Sequence, residues 1–154
     1  LIPSVDPPAN VVLVWTLSPP EVARRFEHGT AGFAHRLQAV AAAAGQGWRV
    51  RLAFDPVLIV RGWRRAYEEM LDEVRDRIPR RTVEAVSYGV FRVGADFMRR
   101  IRASRADSAV VHHPFVRSGG LVTYSSEEIA AIHSVVGDPL RAWLGNDRVD
   151  FVHE

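Results

Sequence analysis

The stretch Glu27-His28-Gly29-Thr30-Ala31 sets a carboxylate, an imidazole and a hydroxyl within four residues. Such groups can pass a proton between acid and base when their side chains meet. On a helix, neighbours such as Glu27 and His28 stand about 100° apart and do not face each other. Gly29 permits a bend there, and Thr30 can cap a helix that follows. A second set of candidates ends the apolar runs. Thr16 and Ser18 follow Val11–Trp15, Asp55 follows Trp48–Phe54, and Ser87 and Arg92 flank Gly89. Hydroxyls both donate and accept, and the planar fork of arginine suits a carboxylate or a phosphate. Each candidate also has a structural use: Ser18 as a helix N-cap, Asp55 in a turn, Arg92 in a surface ion pair. Metal chemistry has less support. There is no cysteine, and His112 and His113 would point to opposite faces of a strand. His28, His35, His133 and His153 lack ligand spacing, and no G-x-S-x-G, Walker or G-x-G-x-x-G pattern occurs.

The elements that must hold these residues alternate. Val11–Leu17 is a continuous β-branched run and reads as a strand buried on both faces. Pro19-Pro20 opens a helix over about 21–28, and a second helix carries Phe33, Leu37, Val40, Ala41 and Ala44 on one face. Gly45 and Gly47 stop it before a strand at Trp48–Phe54, and a loop is expected at Asp55-Pro56. Trp63, Ala66, Tyr67, Met70, Leu71, Val74 and Ile78 define the strongest helix, ended by Pro79. Val83–Val90 reads as a third strand and about 95–102 as a short helix. Ser108–His113 reads as a strand, Ser125 and Glu128 as a helix start, and Arg148–His153 as a final strand. Strand and helix in alternation give right-handed β-α-β units with a parallel sheet. Ligands of such sheets bind at the C-terminal strand ends. The candidates at Thr16–Ser18, Phe54–Pro56 and Ser87–Arg92 lie there.

The 154 residues suffice for one domain, and 47% apolar with 25% charged residues is ordinary for a soluble protein. The apolar runs are far shorter than a membrane span and no secretion signal opens the chain, so the expectation is cytoplasmic with no membrane partner. Residues 1–10 read as a linker or truncated start, since position 1 is not Met. All basic residues are arginine, and nine of them against three acids between Arg75 and Arg105 give a local charge of +6. Such a stretch is either a solvated helix face or a surface for phosphates, with Arg99, Arg100 and Arg102 foremost.

An ordered set of short motifs resembles the second half of the spore photoproduct lyase and DNA repair photolyase-like group of radical S-adenosylmethionine enzymes. It comprises Leu17 and Pro19, Glu27 to Ala31, Arg36-Leu37 with Ala39, Gly47, Phe54 to Pro56, Gly62-Trp63 with Tyr67, and Ser87, Gly89 and Arg92. The resemblance covers about residues 11–95. It implies the C-terminal half of a partial (β/α) TIM-like barrel with parallel strands. Residues 11–105 would form three β/α units and 106–154 a C-terminal α/β extension. It further implies hydrogen-atom abstraction in DNA lesion repair with S-adenosylmethionine and a [4Fe-4S] cluster. Thr16, Ser18, Asp55, Ser87 and Arg92 would face the cofactor, and Arg99, Arg100, Arg102 and Tyr124 the nucleic acid. The cluster's three cysteines are absent, so an N-terminal half of the barrel is an expected partner and the chain alone is expected to be inactive. The sequence departs from the family at Thr16, Ser18 and Ala53, where Ser, Asn and often His are usual. The alternative readings are a non-catalytic nucleic-acid-binding module and a structural module that completes a barrel.

Overall fold

The computed structural model describes residues 5–105 and 107–152. The first four residues of the expected linker, and His153 of the expected final strand, lie outside the described residues. The first β-branched run forms β1 (Val12–Thr16). Helix α1 (Pro20–Phe26) starts with proline in its first turn, where the missing N–H has no intrahelical acceptor in any case. Helix α2 (Phe33–Gly45) buries Phe33, Leu37, Val40, Ala43 and Ala44. Gly47, at φ 86°, then turns the chain into β2 (Arg49–Val57). Helix α3 (Trp63–Arg77) buries Trp63, Tyr67, Met70, Leu71 and Val74, and β3 spans Val83–Val90. Asp55 and Pro56 fall within β2 rather than after it, because the strand resumes pairing at Val57↔Val90 past an irregular step. Neither expected cap forms. Pro19 occupies the N-cap of α1 and Gly32 that of α2, without a side-chain cap at either. The Thr30 hydroxyl instead donates to the Glu27 carbonyl at 2.8 Å.

The rest of the chain forms β4 (Arg92–Gly94), α4 (Ala95–Ser104), β5 (Val116–Ser118), β6 (Leu121–Thr123), α5 (Ser126–Ile132), α6 (Asp138–Leu144) and β7 (Val149–Val152). The strand expected at Ser108–His113 is a 3₁₀ turn, Ala109–His112. Its Val111 side chain packs with Met98 and Val122, and the Val111 carbonyl accepts from Arg102 Nε at 2.9 Å. Backbone groups satisfied this way need no strand partner. Ser125 caps α5 in the expected capping box with Glu128. A π-helical turn, His133–Gly137, separates α5 from α6. A Cβ at Gly137 would lie 2.3 Å from the Tyr88 hydroxyl, so glycine is what admits that ring.

β1, β2, β3 and β7 pair in that order, all parallel, in one open sheet. β7 comes from the segment expected as an extension, yet it joins the same sheet. β4, β6 and β5 form a small antiparallel sheet. The large sheet is covered on one face. Val50, Leu52, Phe54, Val86 and Tyr88 belong to one apolar core with Leu37, Val40, Met70, Leu71 and Val136. On its other face Arg49, Arg51 and Thr16 are exposed. β1 is therefore not buried on both faces. It is an edge strand, and Val14 is 63% exposed. The architecture is α/β with a parallel sheet in a partial (β/α) barrel that does not close.

Two buried tyrosines fix the loop after β2. Tyr67 accepts from the Leu58 N–H at 3.0 Å and Tyr124 from the Ile59 N–H at 2.9 Å. Burial raises both phenol pKa values, that of Tyr124 to about 12. Replacing either with Phe strands a buried N–H, at a cost of about 1–2 kcal/mol. Urea unfolding of Tyr67→Phe and Tyr124→Phe checks this; wild-type midpoints in both would contradict it.

Candidate functional site at the strand ends

In-register pairing places Thr16, Ala53, Ser87 and Asp150 side by side across the four strands. This row lies on the uncovered face, and neighbouring strands are about 4.8 Å apart, so Thr16 and Ser87 flank Ala53 at about 10 Å from each other. The methyl of Ala53 leaves room between two hydroxyls. Below the row, toward the strand N-termini, Glu84 pairs with Arg49 and, at 3.0 Å, with Arg51. The pairing holds the Glu84 carboxyl below its ordinary pKa, although desolvation works the other way.

One residue beyond Phe54, Asp55 lies over the backbone of β3. A Cβ built on Gly89 would meet Asp55 Oδ1 at 2.4 Å. Glycine is thus required for close approach at this point, independently of its backbone angles. Arg92 Nη1 stands 3.8 Å from Asp55 Oδ1 and donates to the carbonyls of Val90 and Val152, each at 3.2 Å. Partial burial pushes the Asp55 carboxyl above its usual pKa, and the Arg92 guanidinium offsets this only in part.

Ser18, 7% exposed, sits apart from the row. With Asp55 it lines a cavity of about 290 Å³ whose walls include Val22, Phe26, Leu58, Phe91 and Val110. Sequence reasoning found Ser18 and Asp55 but not this apolar chamber, because Phe91 and Val110 come from irregular segments without periodicity. The advance signals for Gly89 were its place between Ser87 and Arg92 and its part in the motif set that carries the family resemblance.

Glu27 and His28 form no acid–base pair. Arg36 joins Glu27 by an ion pair, reaches Thr30 Oγ1 at 2.8 Å and donates to the Thr16 carbonyl at 3.1 Å. One guanidinium thereby ties the bend between α1 and α2 to the end of β1.

The nine arginines of 75–105 do not form one face. They lie on α3, the 3₁₀ turn Arg80–Thr82, β4 and α4 and its end, and many are engaged. Arg75 pairs with Asp72, Arg77 with Glu73 at 3.3 Å and Arg99 with Asp96 at 2.8 Å. Arg102 holds the Val111 carbonyl. Arg100 lies over the Phe97 ring, which is 50% exposed. Tyr124, expected at nucleic acid, is instead 2% exposed, with its hydroxyl engaged by the loop after β2. Among the described residues no group of three or more His, Cys, Asp or Glu could hold a metal ion, and no helix is long and apolar enough to cross a membrane.

Two substitutions test this geometry. Gly89→Ala should cost about 1–3 kcal/mol through overpacking, and most of that should vanish in an Asp55→Ala background. Equal costs in both backgrounds would contradict the contact. Asp55 has a raised pKa in the fold, so its protonated form favours folding and its ionised form opposes it. Asp55→Asn should therefore raise the urea midpoint at pH 7. The gain should disappear below about pH 3.9, where the unfolded carboxyl is protonated too. A lowered midpoint at pH 7 would contradict the balance of burial over Arg92.

A search of curated protein sequences finds no match. Solved structures do match. A spore photoproduct lyase in which a cysteine is replaced by alanine superposes with TM-score 0.73 at 19% identity, over 92% of this chain and 44% of that one. Spore photoproduct lyase complexed with dinucleoside spore photoproduct gives 0.68 at 20%, over 92% and 44%. A double mutant with bound AdoMet and dinucleoside spore photoproduct gives 0.66 at 19%, over 91% and 43%. The chain thus spans under half the length of these structures, and the likeness establishes a shared fold. The family model for spore photoproduct lyase matches residues 11–102, which contain β1 to β3 and every strand-end candidate. The chain belongs to the spore photoproduct lyase family.

Proposed function

We propose that this chain is the C-terminal portion of a radical S-adenosylmethionine enzyme that abstracts a hydrogen atom from a thymine-derived DNA lesion. The observation that carries the reading is the coincidence of the family match with a row of polar strand ends on an uncovered sheet face. Thr16 and Ser87 offer hydroxyls to a ribose, and Arg92 offers its fork to a carboxylate. Asp55 can accept from an amino group, and the gap at Ala53 gives space between the two hydroxyls. Ser18 lines the neighbouring chamber. S-adenosylmethionine would supply the hydrogen-abstracting radical when a reduced cluster cleaves it.

The cluster itself does not fit this chain. The sequence has no cysteine, and the described residues offer no substitute set of ligands. The chain alone is therefore inactive, and its partner is an N-terminal half that carries the cluster cysteines and covers the open sheet face. The exposed Val14 and the edge strand β1 support such a neighbour, since an uncovered parallel sheet is unusual. Nucleic acid would approach over α4, where Arg99, Arg100 and Phe97 are exposed. Arg102 serves there by holding the 3₁₀ turn in place.

The test is anaerobic reconstitution with a separate chain bearing the three cluster cysteines. With S-adenosylmethionine, reductant and lesion-containing oligonucleotide, only the mixture should form 5′-deoxyadenosine and reverse the lesion. Arg92→Ala should raise the KM for S-adenosylmethionine about tenfold. A stable two-chain complex with a loaded cluster that forms no 5′-deoxyadenosine would overturn the reading.

A further inference from the structure

Beside the strand-end chamber lies a second, more polar groove of about 410 Å³ between α1 and the end of α4. Arg25, His28 and Arg105 line it, together with Asp107 and Ser108. The groove and the chamber share three wall residues, Phe26, Ile101 and Ser108. They are therefore two compartments of one depression, apolar at the strand ends and basic at the outer rim.

The charges at the rim are open to a ligand. Among the described residues no ion pair involves the Arg105 guanidinium. Arg25 meets Glu21 at 3.5 Å, with both side chains about half exposed (41% and 53%), and lies over the Phe26 ring at 5.4 Å. An exposed pair of this kind contributes little and is easily exchanged for a better anion. Asp107 is the one carboxylate in the lining, against two guanidiniums and an imidazole. The turn that presents Arg105 is held by the Ser108 N–H to Arg105 carbonyl bond at 3.0 Å and by the bond from the Arg105 N–H to Ile101 at 2.8 Å.

We infer that this groove is a phosphodiester site for single-stranded nucleic acid, with Arg25 and Arg105 on the phosphate and the adjoining chamber receiving the unstacked base. The assignment rests on the nucleic-acid part of the proposed function and adds where the backbone runs. An unstacked base presents a planar apolar face, and Phe26 and Phe91 line the chamber that would take it. The phosphate next to that base would then fall at the rim, where the cations are. Asp107 sets a limit on the charge the groove can accept and favours a single phosphodiester over a dianionic phosphate.

The probe is a 5′-labelled single-stranded oligothymidylate, followed by fluorescence anisotropy across a salt series. The Arg25→Gln/Arg105→Gln variant should bind about tenfold more weakly, and its salt slope should fall by about 0.7, the value for one phosphate on a single strand. An Arg64→Gln/Arg65→Gln control on α3 should leave both unchanged, and matching urea midpoints establish that all variants fold. If the wild type binds and the Arg25→Gln/Arg105→Gln variant matches it in affinity and slope, the groove assignment is wrong while nucleic-acid binding stands. If the wild type fails to bind at low salt, both fall. Inorganic phosphate that binds through Arg25 and Arg105 without affecting oligonucleotide affinity would assign the groove to a free anion and overturn the proposal.

Discussion

β2 is hydrogen-bonded in parallel to β1 on one side and to β3 on the other, so its pleat is fixed from both sides. Val50, Leu52 and Phe54 point into the helix layer, and Arg49, Arg51 and Asp55 fall on the alternate positions. A slip of one residue would bury two guanidiniums among Leu37, Val40 and Met70 and expose three apolar side chains. Removing a charge from water without a partner costs several kcal/mol, so this register is strongly specified. Everything at the strand ends inherits its position from it. The pairing that aligns Ala53 with Thr16 and Ser87 also sets Asp55 over Gly89.

The same alternation makes the sheet two-sided. One face joins the main apolar core, and the other carries an Arg49–Glu84–Arg51 cluster and a row of small and hydroxylic residues. A face built only for solvent would gain nothing from keeping Ala53 small at the strand end, whereas Gly89 is small because Asp55 lies over it. A small side chain at Ala53 lets a ligand or another backbone come close. The polar ring of Asp55 and Arg92 sits at the edge of that space, and the apolar chamber behind Ser18 opens beside it. Asp55 links the two, since it stands opposite Arg92 and also lines the chamber.

Much of the fold was legible in the sequence where periodicity is long. α3 and β3 could be read nearly residue by residue, because their apolar positions repeat over 15 and 8 residues. The ends of β1 and β3 were legible because each apolar run gives way there to polar residues. The three-residue strands β4, β5 and β6 were not, since alternation cannot be recognised over three positions; Gly119-Gly120, both at positive φ, was the one hint of a hairpin. Thr30 and Ser18 look like caps locally, but Arg36 and the chamber place them otherwise. The same holds for Tyr124: nothing in its neighbours tells that Ile59, 65 residues earlier, supplies the donor that draws it inside. Long-range partners of this kind leave no trace in local sequence. The arginine-rich stretch misled for the opposite reason. It is continuous in sequence but divided among separate elements in space.

We propose that the strand ends on the open sheet face are where a ligand meets this chain. Amide chemical-shift mapping with S-adenosylmethionine should then show saturable shifts concentrated at Thr16–Ser18, Asp55 and Ser87–Arg92, reduced in Arg92→Ala. Shifts confined to the Arg49–Glu84–Arg51 end of the sheet, or none at millimolar ligand, would contradict it.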